Sequence, residues 1–84
     1  MKAVRLTQHA LERCRERGVE ESEVTAAVEW GSRERVREGR TLCRFTFPFA
    51  GTWQGRRYLQ KQVTPIIIET PREIVVITVL AYYY

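Results

Sequence analysis

At 84 residues, with 44% hydrophobic and 29% charged side chains, the chain holds material for one domain over residues 1–84 and one modest core, and a second domain does not fit. No run approaches the ~20 apolar residues of a membrane-spanning helix, and Met1 to Arg5 leads towards a polar helix rather than the apolar centre of a signal peptide, so a cytoplasmic protein without membrane contact is expected. The formal net charge is +4, and arginine supplies every basic residue except Lys2 and Lys61. The planar guanidinium fork suits phosphate oxygens and points towards a polyanionic partner; an Arg-rich chain with no Asp and no Asn fits adaptation to heat equally well.

The first third reads as helix. Thr7 offers a hydroxyl to the free N–H groups of a first turn. Leu6 and Leu11 stand at the spacing of a hydrophobic staple, and Gly18 supplies a left-handed stop. The apolar side of this helix is Ala10, Leu11 and Cys14. A second helix is expected from about Glu21 to Trp30, with Glu20, Glu21 and Glu23 at its positive end, Val24, Ala27 and Val28 as its buried stripe, and Gly31 as its end.

From Arg33 the apolar period changes to two. Arg33 to Arg37 and Thr41 to Phe49 read as the arms of a hairpin around Glu38-Gly39-Arg40, with Cys43, Phe45, Phe47 and Phe49 on the face that meets the helices. Ala50 to Gly55 reads as a loop carrying Trp53. A third strand, Arg57 to Glu69, is bent by Pro65 and returns through Thr70-Pro71-Arg72 into a fourth, Glu73 to about Tyr82. The apolar runs Ile66 to Ile68 and Ile74 to Val79 suit the centre of a sheet rather than an edge. The fold class expected is therefore α+β: two N-terminal helices packed on a four-stranded antiparallel sheet.

Three groups carry candidate chemistry. His9, Arg13 and Arg17 recur every fourth residue and form one stripe down the first helix, at the seam between helix and sheet. A histidine can move the proton of a 2′-hydroxyl or of a leaving 5′-oxygen, and guanidinium groups can stabilise the developing phosphorane charge, with no metal needed. The same residues read equally as a solvated histidine and surface ion pairs with Glu12 and Glu16. Arg56, Arg57, Tyr58 and Lys61 interleave cations with an aromatic ring, as a nucleic-acid strand requires, or form a solvated edge. Thr78 and Tyr82 share a strand face with Leu80, where a hydroxyl could reach a bound phosphate. The tail Tyr82 to Tyr84 could instead dock a second subunit. Cys14, Cys43 and the single histidine lack the spacing of a zinc site, and neither metal nor cofactor is expected; the cysteines read as buried small apolar residues or as a disulfide, which would be unusual in a reducing compartment.

The pattern Thr7-x-His9-Ala10-x-x-Arg13-x-x-x-Arg17-Gly18-Val19, followed by Val24, Ala27-Val28 and Gly31 and closed by Ile74 to Val79, resembles a bacterial domain family with the motif T-x-H-A-x-x-R-x-x-x-R-G-[IV]. The likeness covers both ends of the chain, while Arg33 to Val63 matches poorly. That family is grouped with the RelE and BrnT type ribonuclease toxins of the barnase/colicin-like fold. The resemblance implies two helices on a four-stranded antiparallel sheet, and it carries His9, Arg13, Arg17 and Thr78 over as catalytic positions. Relatives often end I-T-V-Y, whereas Leu80 stands at that tyrosine here, with Tyr82 two residues on.

Two functions follow as expectations. The first is a toxin-type endoribonuclease that cleaves RNA to a 2′,3′-cyclic phosphate. His9 would be the general acid or base, Arg13 and Arg17 the phosphate clamps, Thr78 an auxiliary contact, and Arg57, Lys61 and Tyr82 would hold the RNA. Its partners would be RNA and an acidic antitoxin protein, with a homodimer through Tyr82–Tyr84 as a further option. The alternative is a non-catalytic RNA-binding or protein-interaction module on the same fold.

Overall fold

The computed structural model describes residues 2–84. In chain order the elements are β1 (Ala3–Leu6), α1 (Gln8–Arg17), α2 (Glu21–Trp30), β2 (Ser32–Arg35), β3 (Arg40–Trp53), β4 (Arg56–Glu69) and β5 (Glu73–Tyr83). They form one five-stranded sheet in the order β1-β5-β4-β3-β2, with both helices on one face. This corrects the expected four-stranded antiparallel sheet behind two N-terminal helices. A strand precedes the helices, and it pairs in parallel with β5 from Ala3↔Glu73 to Leu6↔Val76. Val4 and Leu6, either side of the charged Arg5, pack on the core, so the segment carries a strand's period. At four residues, however, the signal is short, and its partner lies at the other end of the chain.

The local rules explain the helices. Thr7, in extended conformation, accepts a hydrogen bond from the Ala10 N–H at 3.1 Å, and Gly18 closes α1 at φ +67°. Glu20 and Glu23 form a reciprocal capping box at the start of α2, satisfying otherwise free N–H groups. Ala10, Cys14, Val24, Ala27 and Val28 are buried against Cys43, Val63, Ile67, Val76 and Val79 of the sheet. Phe45 and Phe47 lie against the same core, as the two-residue period predicts.

Three irregularities set which residues face which way. Ile77 is an extra residue in β5, because Ile67 pairs with Val76 and Ile66 with Thr78. The helix-facing set therefore passes from Ile74 and Val76 to Val79, Ala81 and Tyr83. In β3 the register shifts between Pro48 and Gly51, with Ala50 at φ +46°, so the expected loop Ala50 to Gly55 is instead strand through Trp53. The reversal itself needs only Gln54 and Gly55, both at positive φ (50° and 80°), the geometry of a type I′ hairpin turn. In β4 the N–H groups of both Leu59 and Gln60 donate to the Tyr84 carbonyl, which marks the third.

Candidate functional site

α1 lies over β5 just beyond the point where β1 stops. The outward carbonyls of β5 there have no strand partner, and side chains of the helix end up satisfying them. The Thr7 hydroxyl donates to the Ile77 carbonyl at 3.4 Å, and Arg17 Nη1 donates to the Val79 carbonyl at 2.8 Å. Arg13 is ion-paired with Glu16. His9 is exposed on the first turn, and no hydrogen bond among the described residues involves its side chain. The stripe His9, Arg13, Arg17 thus exists as one side of the helix, yet Arg13 and Arg17 are already engaged. No pocket opens beside the three among the described residues.

The bulge at Ile77 also decides Thr78. Thr78, Leu80 and Tyr82 do share a face, as their spacing requires, but Val79, Ala81 and Tyr83 take the helix side. Thr78 therefore stands on the face turned away from α1, and the fold does not bring it to His9, Arg13 or Arg17.

Lys61 is 4% exposed. Its Nζ donates to the Gly18 carbonyl at 2.6 Å and to Glu23 Oε1 at 2.7 Å, and it lies 5.7 Å and 5.8 Å from the ring centres of Phe49 and Tyr83. An ammonium has three donors; two are committed, and the aromatic faces surround what is left. This lysine fastens the α1–α2 connection to the sheet and presents nothing to an outside phosphate.

Arg57 and Tyr82 are placed differently. Trp53 and Tyr58 approach Tyr83 on the helix side, with Trp53 stacked at 5.1 Å between ring centres. By alternation Arg57, paired with Thr52, turns to the open face. Tyr82 and Tyr84 are 51% and 54% exposed, and the Tyr84 hydroxyl lies 3.4 Å from that of Thr46 on the same face. Arg56, on the other side of the hairpin tip, sits 5.8 Å over the Tyr58 ring.

Arg5, Arg13, Arg33, Arg40 and Arg44 each pair with a glutamate; Arg15, Arg17, Arg35, Arg37 and Arg72 do not, and Arg56 and Arg57 also have no carboxylate partner among the described residues. The cause is visible in the sequence, which has no acidic side chain between Glu38 and Glu69 or after Glu73. The ends of β3, β4 and β5 that meet at the Gln54–Gly55 turn carry cations and aromatic rings and no acidic side chain of their own. Tyr84 belongs with Tyr82 in this group, and the run without carboxylates was the signal that could have located it.

Cys14 and Cys43 are both buried and free. Burial pushes both thiols up, with Glu21 and Glu23 adding to the effect at Cys14 and Arg33 opposing it at Cys43, so neither is poised as a nucleophile. No cluster of metal-ligating side chains occurs among the described residues, and no helix there is long and apolar enough to cross a membrane. Comparison with known proteins found no matching family model, no matching curated protein and no matching solved structure.

Proposed function

We propose that this chain is a non-catalytic module that binds single-stranded RNA in the cytoplasm, on the open sheet face beside the Gln54–Gly55 turn. One observation carries the reading: Arg57, Tyr82 and Tyr84 share that face in a region without acidic side chains. Exposed tyrosine rings offer stacking surfaces to unpaired bases, and an uncompensated guanidinium neutralises the phosphate between them. Duplex nucleic acid keeps its bases stacked inside and gains nothing from the rings. Catalysis is left out of the proposal because Thr78 stands on the opposite face from the other three expected catalytic residues, and Arg13 and Arg17 are engaged within the chain.

The test is fluorescence anisotropy with a short labelled unstructured RNA, over a salt series and with chelator present. Binding that weakens linearly in log–log form with salt is expected. Arg57→Glu should lower affinity at least roughly tenfold, and Tyr82→Ala by about 1–3 kcal/mol, the range for a lost base stack. Absence of binding, or binding indifferent to both substitutions, would remove the reading. The same mixture run on a denaturing gel addresses cleavage. RNA cut by the wild type in chelator and left whole by His9→Ala would replace the binding module with a ribonuclease.

A further inference from the structure

The sheet has two long free edges, and they are built differently. Beyond its four-residue pairing with β2, which ends at Ser32↔Arg44, β3 runs unpaired on its outer side to Trp53. Pro48 interrupts that edge, and the kink at Ala50, with its positive φ, twists it further. Both are familiar ways of keeping a strand from recruiting another. β2 and β1 are short and carry arginines.

β5 has none of this protection. β1 covers it only through Val76, and the segment that follows, Ile77 to Tyr83, contains no proline, no charged residue and no glycine. The backbone directions are fixed by two observations. The Val79 carbonyl accepts from Arg17 on the outer side, and Tyr84 exchanges hydrogen bonds with Gln60 of β4 on the inner side. By alternation the N–H and C=O groups of Val79, Ala81 and Tyr83 all point outwards. Arg17 engages the Val79 carbonyl, and nothing among the described residues engages those of Ala81 and Tyr83.

We infer that this edge is an interface between two copies of the chain, with β5 pairing antiparallel to β5 about a two-fold axis at Ala81. That register sets outward residues opposite outward residues, Val79 against Tyr83 and Ala81 against itself, so the free donors and acceptors satisfy each other. On the open face it sets Leu80 against Tyr82, an aliphatic–aromatic cross-strand pair of the favourable kind. Charge permits self-association here: β5 after Glu73 is neutral, and the two Arg17 side chains would be offset by four residues, about 13 Å along the strand, beyond the ~8 Å screening length at physiological salt. A charged partner peptide would find nothing on the strand itself to pair with. The ten-stranded sheet so formed is closed by its symmetry and cannot grow into a filament through the same contact.

The experiment uses the full chain without RNA, so its outcome is independent of the function proposed above. Sedimentation equilibrium from micromolar to near-millimolar concentration should show a rise from 9.9 kDa to twice that mass. Over the same range the amides of Val79, Ala81 and Tyr83 should exchange progressively more slowly. Ala81→Pro removes an outward N–H while the β4–β5 ladder, which uses Leu80 and Tyr82, is untouched; the dissociation constant should rise roughly tenfold or more with an unchanged circular dichroism spectrum. A monomer at every concentration overturns the inference. So does a dimer in which those three amides exchange at a constant rate, since association would then use another surface. Should Ala81→Pro fail to fold, mass and amide exchange on the wild type decide alone.

Discussion

The two ends of the sheet are held by opposite means. At the end where β1, β2 and the β4–β5 turn meet, the ties are solvent-exposed ion pairs: Lys2 to Glu69 at 2.8 Å, Arg33 to the same carboxylate at 3.3 Å, and Arg5 to Glu73 at 3.1 Å. At the Gln54–Gly55 end the ties are buried. Lys61 is inserted between Glu23 and the Gly18 carbonyl, the Tyr83 hydroxyl donates to the Arg17 carbonyl at 2.5 Å, and Trp53 lies on Gly18. A chain can thus leave one end of a sheet free of carboxylates and still keep it in place. Among the described residues the carboxylate bonded there is that of Glu23, and it comes from a helix rather than from the sheet, so Arg57 on the open face stays unpaired.

The largest effect should come from breaking the buried tie. Lys61→Ala leaves Glu23 and the Gly18 carbonyl without their donor in a site where the lysine side chain is 5% exposed and the glutamate 21%. A loss of about 3 kcal/mol is expected, the lower end for a broken buried pair because Glu23 retains some water and its bond to the Glu20 N–H. Urea denaturation measures it, and 1 M salt should leave it nearly unchanged. The double variant Lys61→Met with Glu23→Gln should recover much of the loss; equal recovery by Lys61→Met alone, with Glu23 left unpaired, would show that the lysine acts through packing alone.

Next in size is Gly18→Ala. The φ of +67° is costly for any residue with a Cβ, and that Cβ would collide with the Trp53 ring. About 2 kcal/mol should be lost, with a blue- or red-shifted Trp53 emission as the ring moves off its stack with Tyr83. Stability lost with Trp53 emission unmoved would assign the cost to the backbone alone. Tyr83→Phe should cost about 1 kcal/mol through the bond to the Arg17 carbonyl. It should also alter the alkaline limb. Burial, reinforced by Glu23, holds the Tyr83 hydroxyl above its ordinary value of 10.0, so the unfolded chain ionises first, and stability that is whole below that pH declines as pH rises through it. The phenylalanine variant lacks this share of the decline.

How much of this can be read from sequence follows the range of the interactions. Thr7 as cap, Gly18 as stop and Val24, Ala27, Val28 as a stripe are local, and each stands where its chemistry predicts. The alternation Cys43, Phe45, Phe47 is nearly as local and holds as well. β1 escapes notice because four residues carry little period and the pairing that makes them a strand is with the far end of the chain. Gln54–Gly55 lacks the Asn or Asp that usually announces a type I′ turn, so the strand around Trp53 reads as loop. Thr78, Leu80 and Tyr82 share a face as their spacing says; which face is settled by the single extra residue Ile77, and one residue reverses every side chain after it. Lys61 resembles a surface cation, although its even spacing from Val63, Pro65 and Ile67 places it on the buried face.

The smallest effect belongs to the exposed end and completes the contrast. The hydrogen bond from Arg5 holds the Glu73 carboxyl below its ordinary value of 4.5, with slight burial opposing and the Arg5 charge assisting; the bond from Lys2 does the same for Glu69. A carboxyl lowered by folding contributes stability that is present above its ordinary value and disappears as pH falls through its folded value, because the unfolded chain takes up the proton first. Glu73→Gln should therefore be slightly less stable than the wild type at neutral pH. The difference should shrink as pH falls below 4.5, and 1 M salt should abolish it, since both partners are open to solvent. Lys61→Ala should keep its deficit in salt. Equal salt sensitivity in the two variants would mean that the ends of the sheet are not held by different means.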